Sequence, residues 1–179
     1  MRYDVTRMAI IGLGLIGGSM GLALKRAKAD VEVVGFARRP GVASRAIELG
    51  AADRTEGSLS STVKGADLVL IATPVMAMKA ILAEIGESLN DGCIVTDVAS
   101  TKAQVMGWAE ESLPLGVSFI GGHPMAGKET SGIEAADADL FRGCTYCLVP
   151  GPGATKGAID TLEDLVKKLG AKPLFIDAA

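Results

Sequence analysis

The sequence predicts an α/β protein with a doubly wound, mostly parallel sheet and helices on both of its faces. Three observations carry that expectation. Short apolar runs of strand length recur along the 179 residues and alternate with helix-like segments. Hydrophobic residues make up 49% of the chain and aromatics only 4%, so the core must be built from Ala, Val, Ile, Leu and Met, as in a sheet buried on both faces. Finally, a glycine-rich turn, Gly12-Leu13-Gly14-Leu15-Ile16-Gly17, separates the first apolar run from the first helical segment.

In chain order, residues 8–11 read as a strand and 15–28 as an amphipathic helix. A strand at 31–36 is followed by a helix at 42–49, and a strand at 68–72 by a helix at 75–89. The turn Asn90-Asp91-Gly92 leads into a strand at 93–97 and a helix at 101–111. Strands at 117–121 and 144–149 flank residues 127–143, whose weak periodicity predicts a loop with a short helix. After Gly151-Pro152-Gly153 come a helix at 156–169 and a last strand at 174–176. The length fits one domain over residues 1–179.

Composition excludes several roles. A net charge of −3 gives no basic footprint for nucleic acid. No apolar stretch reaches the roughly 18 residues of a membrane span. Residues 1–7 are polar and short, without a secretory core, so a cytoplasmic location is expected. Three cysteines argue against a disulfide framework. Cys144-x-x-Cys147 sits in a predicted strand, where such positions face opposite sides, and no second ligand pair completes a zinc site. No metal is expected.

The glycine turn has the order strand, tight turn, helix that the pyrophosphate of a dinucleotide needs in a Rossmann-type fold. Gly12 allows the turn, Gly14 lets the backbone approach the phosphates, and Gly17, with Gly21 behind it, lets helix and strand pack closely. The anion then meets unpaired N–H groups at the helix start, those of Leu15 and Ile16 among them. Ala37-Arg38-Arg39 ends the second strand about 20 residues further on, where an NAD site places an acidic group for the ribose 2′-hydroxyl. Ala37 makes no such bond, while adjacent guanidiniums suit a 2′-phosphate. Arg38 and Arg39 therefore favour NADP, with NAD possible; the alternative is ordinary surface charge.

His123, the only histidine, follows Phe119-Ile120-Gly121-Gly122 at the carboxyl end of a strand, the edge where open α/β sheets bind ligands. An imidazole is a side chain that can take or share a proton. The alternative is a structural imidazole capping a loop. Asp97-Val98-Ala99-Ser100-Thr101-Lys102 also follows a strand and opens a helix. Ser100 or Thr101 can be its N-cap. Ser100 can also orient a substrate hydroxyl or the nicotinamide ribose, and Lys102 either holds an anion or faces solvent. Ala72-Thr73-Pro74 ends another strand in a turn of the kind that lies along a cofactor.

Gly122-His123-Pro124-Met125-Ala126-Gly127-Lys128-Glu129-Thr130-Ser131-Gly132 closely resembles the GHPMAGxExSG signature of the prephenate and arogenate dehydrogenases of tyrosine biosynthesis. The glycine turn resembles that family's nucleotide turn, the segment from Asp97 to Lys102 its DxxSxK block, and Asp139-Leu140-Phe141-Arg142-Gly143 its next block. The resemblance implies oxidative decarboxylation. Hydride passes from the ring carbon bearing the 4-hydroxyl of prephenate or arogenate to the cofactor, and loss of carbon dioxide makes the product aromatic. It assigns His123 and Ser100 to catalysis and Asp97 to cofactor binding with the glycine turn. It also implies a C-terminal helical domain that forms the homodimer and completes the substrate pocket. The sequence shows no such domain, so cofactor binding with poor turnover is expected. A β-hydroxyacid-type dehydrogenase is the other enzyme reading, and a stand-alone nucleotide-binding module the non-enzyme one.

Overall fold

A computed structural model describes residues 2–177. β1 (Arg7–Ile11) leads through the glycine turn into α1 (Leu15–Arg26), then β2 (Glu32–Phe36) and α2 (Pro40–Glu48). β3 (Arg54–Thr55) and α3 (Leu59–Val63) precede β4 (Leu68–Ile71), α4 (Val75–Ile85), β5 (Ile94–Asp97) and α5 (Ala103–Ser112). β6 (Ser118–Pro124), β7 (Thr145–Pro150), α6 (Lys156–Lys168) and β8 (Lys172–Phe175) complete the described residues.

The eight strands form one sheet in the order β3-β2-β1-β4-β5-β6-β7-β8. Every neighbouring pair is parallel except β6 and β7. The chain winds outward from β1 through β2 to β3, then returns to β4 and winds the other way through β5 to β6. The direction of winding reverses between β1 and β4, and connections leaving there diverge to opposite faces, so a crevice opens beyond the carboxyl ends.

Alternation along the strands builds two cores. Met8, Ile10, Leu68, Leu70 and Ile94 face α1, α2 and α6, where Met20, Leu24, Ala46, Leu162 and Val166 meet them. Ala9, Ile11, Val69, Ile71 and Val95 face α3, α4 and α5, against Val63, Met78, Leu82, Ile85 and Val105. Both faces of the sheet are thus covered, as the aromatic-poor composition requires. No helix among the described residues is long and apolar enough to cross a membrane.

The last strand runs over Lys172–Phe175 rather than 174–176, and the structure departs further from the sequence reading in four places. β3 and α3 carry no readable period; α3 has a single turn's worth of residues, started by Ser58, whose hydroxyl accepts from the Ser61 N–H at 3.1 Å. The α-helix of α4 stops at Ile85 and passes into a tighter turn, Gly86–Ser88. α5 starts at Ala103 with Lys102 in the cap position, so neither Ser100 nor Thr101 is its N-cap. β6 continues through Pro124, because β7 pairs back along it with His123 opposite Cys147 and Pro124 opposite Tyr146. The imidazole thus belongs to the strand. All three cysteines are free thiols, Cys144 lying just before β7.

Candidate functional site

The turn after β1 is fixed from both sides. The Gly12 N–H donates to the Phe36 carbonyl at 2.9 Å, and the Ala72 N–H donates to that of Ile11 at 2.7 Å. Gly12 has φ +98°, and a Cβ there would stand 2.5 Å from the Ala72 carbonyl oxygen. A Cβ on Gly17 would overlap the Gly12 carbonyl oxygen. Gly14 differs: its φ is −94° and a Cβ would meet nothing within 4 Å. It caps α1 without a side-chain acceptor, and the first turn has no acidic residue. The amides of Leu15, Ile16 and Gly17 therefore lack helical acceptors and carry the positive end of the dipole. Open space at Gly14 beside free N–H groups fits a pyrophosphate.

Arg38 and Arg39 follow β2, whose last residue is bonded to Gly12, and both are exposed. Arg39 stands at the N-cap of α2. Arg2, Arg7, Arg26, Arg45, Arg54 and Arg142 each meet a carboxylate. Arg38 and Arg39 meet none among the described residues. Two unneutralised cations beside the turn fit a further phosphate. Ala72 and Thr73 lie at the end of β4, Pro74 starts α4, and the buried Thr73 hydroxyl has no partner. An orphaned hydroxyl at this position is available to a ligand.

Beyond β5 stands a buried ion pair. Lys102 Nζ donates to Asp97 Oδ1 at 2.6 Å and Oδ2 at 2.5 Å, and to the Gly122 carbonyl oxygen at 2.7 Å. Asp97 Oδ1 also accepts from the Gly122 N–H at 3.1 Å, and Oδ2 from the Ala99 N–H at 2.9 Å. Burial lowers the Lys102 ammonium's pKa from its ordinary value, and the Asp97 charge and hydrogen bond oppose that shift. One expectation is corrected here. Lys102 neither faces solvent nor offers itself to an anion, because Asp97 holds it inside. The Asp97 carboxylate is fully buried, and both of its oxygens accept internal hydrogen bonds. Sequence reasoning singled out both residues, as the ends of the DxxSxK block, but missed that they pair with each other inside the protein.

His123 is half-buried and Ser100 exposed. Neither side chain has a hydrogen-bond partner among the described residues. β1, β4, β5 and β6 are consecutive neighbours, so the glycine turn and His123 share the carboxyl edge three strand spacings apart, about 14 Å. Two depressions of about 310 and 280 Å³ lie at the amino edge instead, lined by residues such as Asp67, Asn90 and Cys93 or Val5, Val31 and Leu165. Neither touches these groups. The brought-together set is the glycine turn, Arg38 and Arg39, the Ala72–Pro74 turn, Ser100 and His123.

The family model described as prephenate dehydrogenase, nucleotide-binding domain, matches residues 20–174. The chain is 40% identical over 163 residues to the prephenate dehydrogenase of Bacillus subtilis, covering 90% of this chain and 44% of that protein. Among solved structures, Synechocystis arogenate dehydrogenase superposes with a TM-score of 0.89 at 29% identity, over 96% of this chain and 60% of that one. Prephenate dehydrogenase from A. aeolicus, in complex with hydroxyphenyl propionate and NAD+, gives a TM-score of 0.90 at 25% identity, over 99% and 62%. The chain spans about half the length of the curated relatives it matches. By fold, motif and similarity together, the chain belongs to the nucleotide-binding-domain family of the prephenate dehydrogenases.

Proposed function

We propose that this chain carries the cofactor-binding and proton-accepting half of a prephenate or arogenate dehydrogenase, with NADP preferred over NAD. The observation behind the reading is an unpartnered imidazole, His123, on the same sheet edge as the open glycine turn. The nicotinamide, when bound, accepts hydride from the substrate carbon. The residues of the chain do the rest. The first-turn amides and Gly14 hold the pyrophosphate; the Ala72–Pro74 turn lies along the cofactor. His123 takes the hydroxyl proton that an alcohol must lose as its carbon is oxidised. Ser100 orients that hydroxyl. Their share of the rate is positioning and electrostatics.

The NADP preference is supported by Arg38 and Arg39, which lack internal partners, and by Ala37, which offers no acceptor to a 2′-hydroxyl. Calorimetric titration tests it. NADP should bind more tightly than NAD, and Arg38→Ala should weaken NADP about tenfold or more, as expected for a lost hydrogen bond to a charged group, while sparing NAD. Equal loss for both cofactors, or binding of neither, would refute the preference. The reaction is tested on the chain joined to the C-terminal half of a relative, with prephenate and with arogenate, following NADPH and carbon dioxide together. His123→Asn should abolish turnover and leave NADP affinity in place.

A further inference from the structure

We infer that the Asp97–Lys102 pair is the positioning device of the site: it grips the peptide before His123 and the loop before Ser100, and so sets where both side chains stand. The role given to His123 and Ser100 rests on the reading above; the grip itself rests on distances. Gly122 is held at both of its polar groups, its N–H by Asp97 Oδ1 at 3.1 Å and its carbonyl by Lys102 Nζ at 2.7 Å. The Ala99 N–H, one residue before Ser100, is held by Asp97 Oδ2 at 2.9 Å. Gly122 has no room for a side chain, since a Cβ would run into the Asp97 carbonyl oxygen. One ion pair thus ties the ends of β5 and β6 together at the residues next to the reacting groups.

Stability alone is a poor reason for such a pair. Stripping water from both ions offsets most of their attraction, and a well-packed apolar pair of similar size often does as well. What an apolar pair lacks is direction: it has no donor for the Gly122 carbonyl and no acceptors for the Gly122 and Ala99 amides. The buried charges therefore specify geometry at the end of β6. Both are positioning residues, since both are buried and every hydrogen bond they make is internal.

His123 is the only histidine, so its ring gives a single set of imidazole NMR signals that need no assignment variant. The test compares wild type with Asp97→Asn/Lys102→Met, which removes both charges and keeps the volume, and with Lys102→Arg, which keeps the charge and so guards against a double variant that fails to fold. In both, the imidazole resonances and the Ala99 and Gly122 amides should shift and the ring signals broaden, while the glycine-turn amides and NADP affinity stay as in wild type. Imidazole signals superimposable on wild type in a folded variant would overturn the inference, whatever reaction the protein runs. Displaced signals support it, even if no dehydrogenase reaction is found.

Discussion

Gly14 and Gly17 sit three residues apart in one motif and do different work. Gly17 is small because the Gly12 carbonyl oxygen occupies the place of its Cβ; Gly14 is small with nothing around it. Gly17→Ala should cost about 1–3 kcal/mol, the range for overpacking, and lower the melting temperature. Gly14→Ala should melt like wild type, because its φ of −94° is open to any residue, yet lose most of its cofactor affinity. A calorimetric scan with an NADP titration separates the two. Lys102 gives a third contrast. Lys102→Met strands the Asp97 carboxylate without its partner, so a loss of about 3–5 kcal/mol is expected in urea unfolding. The glycines were legible in the sequence because their spacing reports a backbone requirement. The inward turn of Lys102 was not, because a lysine's burial depends on a partner that only the folded chain supplies.

At the level of elements, β3 shows why some pieces escaped sequence reading. Two residues, Arg54 and Thr55, have no period, and the strand is held from outside. Glu32 on β2 accepts from Arg54 Nε at 2.8 Å and from Arg7 Nε at 2.6 Å, so one carboxylate spans β1, β2 and β3. The Arg54 hydrogen bond first, then that of Arg7, holds Glu32 below its ordinary value of 4.5. Its contribution is therefore complete above that value and fades as the pH falls through the lowered one. With its side chain 35% exposed, solvent screening keeps the effect to about 1 kcal/mol or less. Glu32→Gln should cause a small loss of stability at pH 7 that vanishes in acid, and faster amide exchange confined to β3. The β6–β7 connection was read correctly as a loop with a short helical turn. Its anchoring was invisible: Ser19 on α1 accepts from the Asp137 N–H at 2.9 Å, and Arg26 and Arg45 reach Asp139 and Glu134.

For the molecule as a whole, the alternation of apolar runs was enough to give the sheet and the two helical layers. The inverted β7 was not, because residues 144–149 read the same in either direction. Burial also sets thiol chemistry. Desolvation, helped by Asp67, pushes the Cys93 thiol up to about 12, and Cys147 is buried, while Cys144 is half-exposed. A disulfide reagent at neutral pH should read at most one thiol in the native protein, that of Cys144, and all three in denaturant.

That inverted strand has an architectural result. A parallel β7 would force the chain to cross to the far edge of the sheet before returning, but a strand that doubles back lets its connection stay where it began. The residues that follow the imidazole thus form a wall beside β6, fastened to α1 through Ser19 and Arg26 and free of any duty to carry the chain across. Such a wall can change in length or chemistry without rethreading the sheet. Substitutions at its exposed Glu129, Thr130 and Ser131, whose side chains have no hydrogen-bond partner among the described residues, should leave melting behaviour that of the parent.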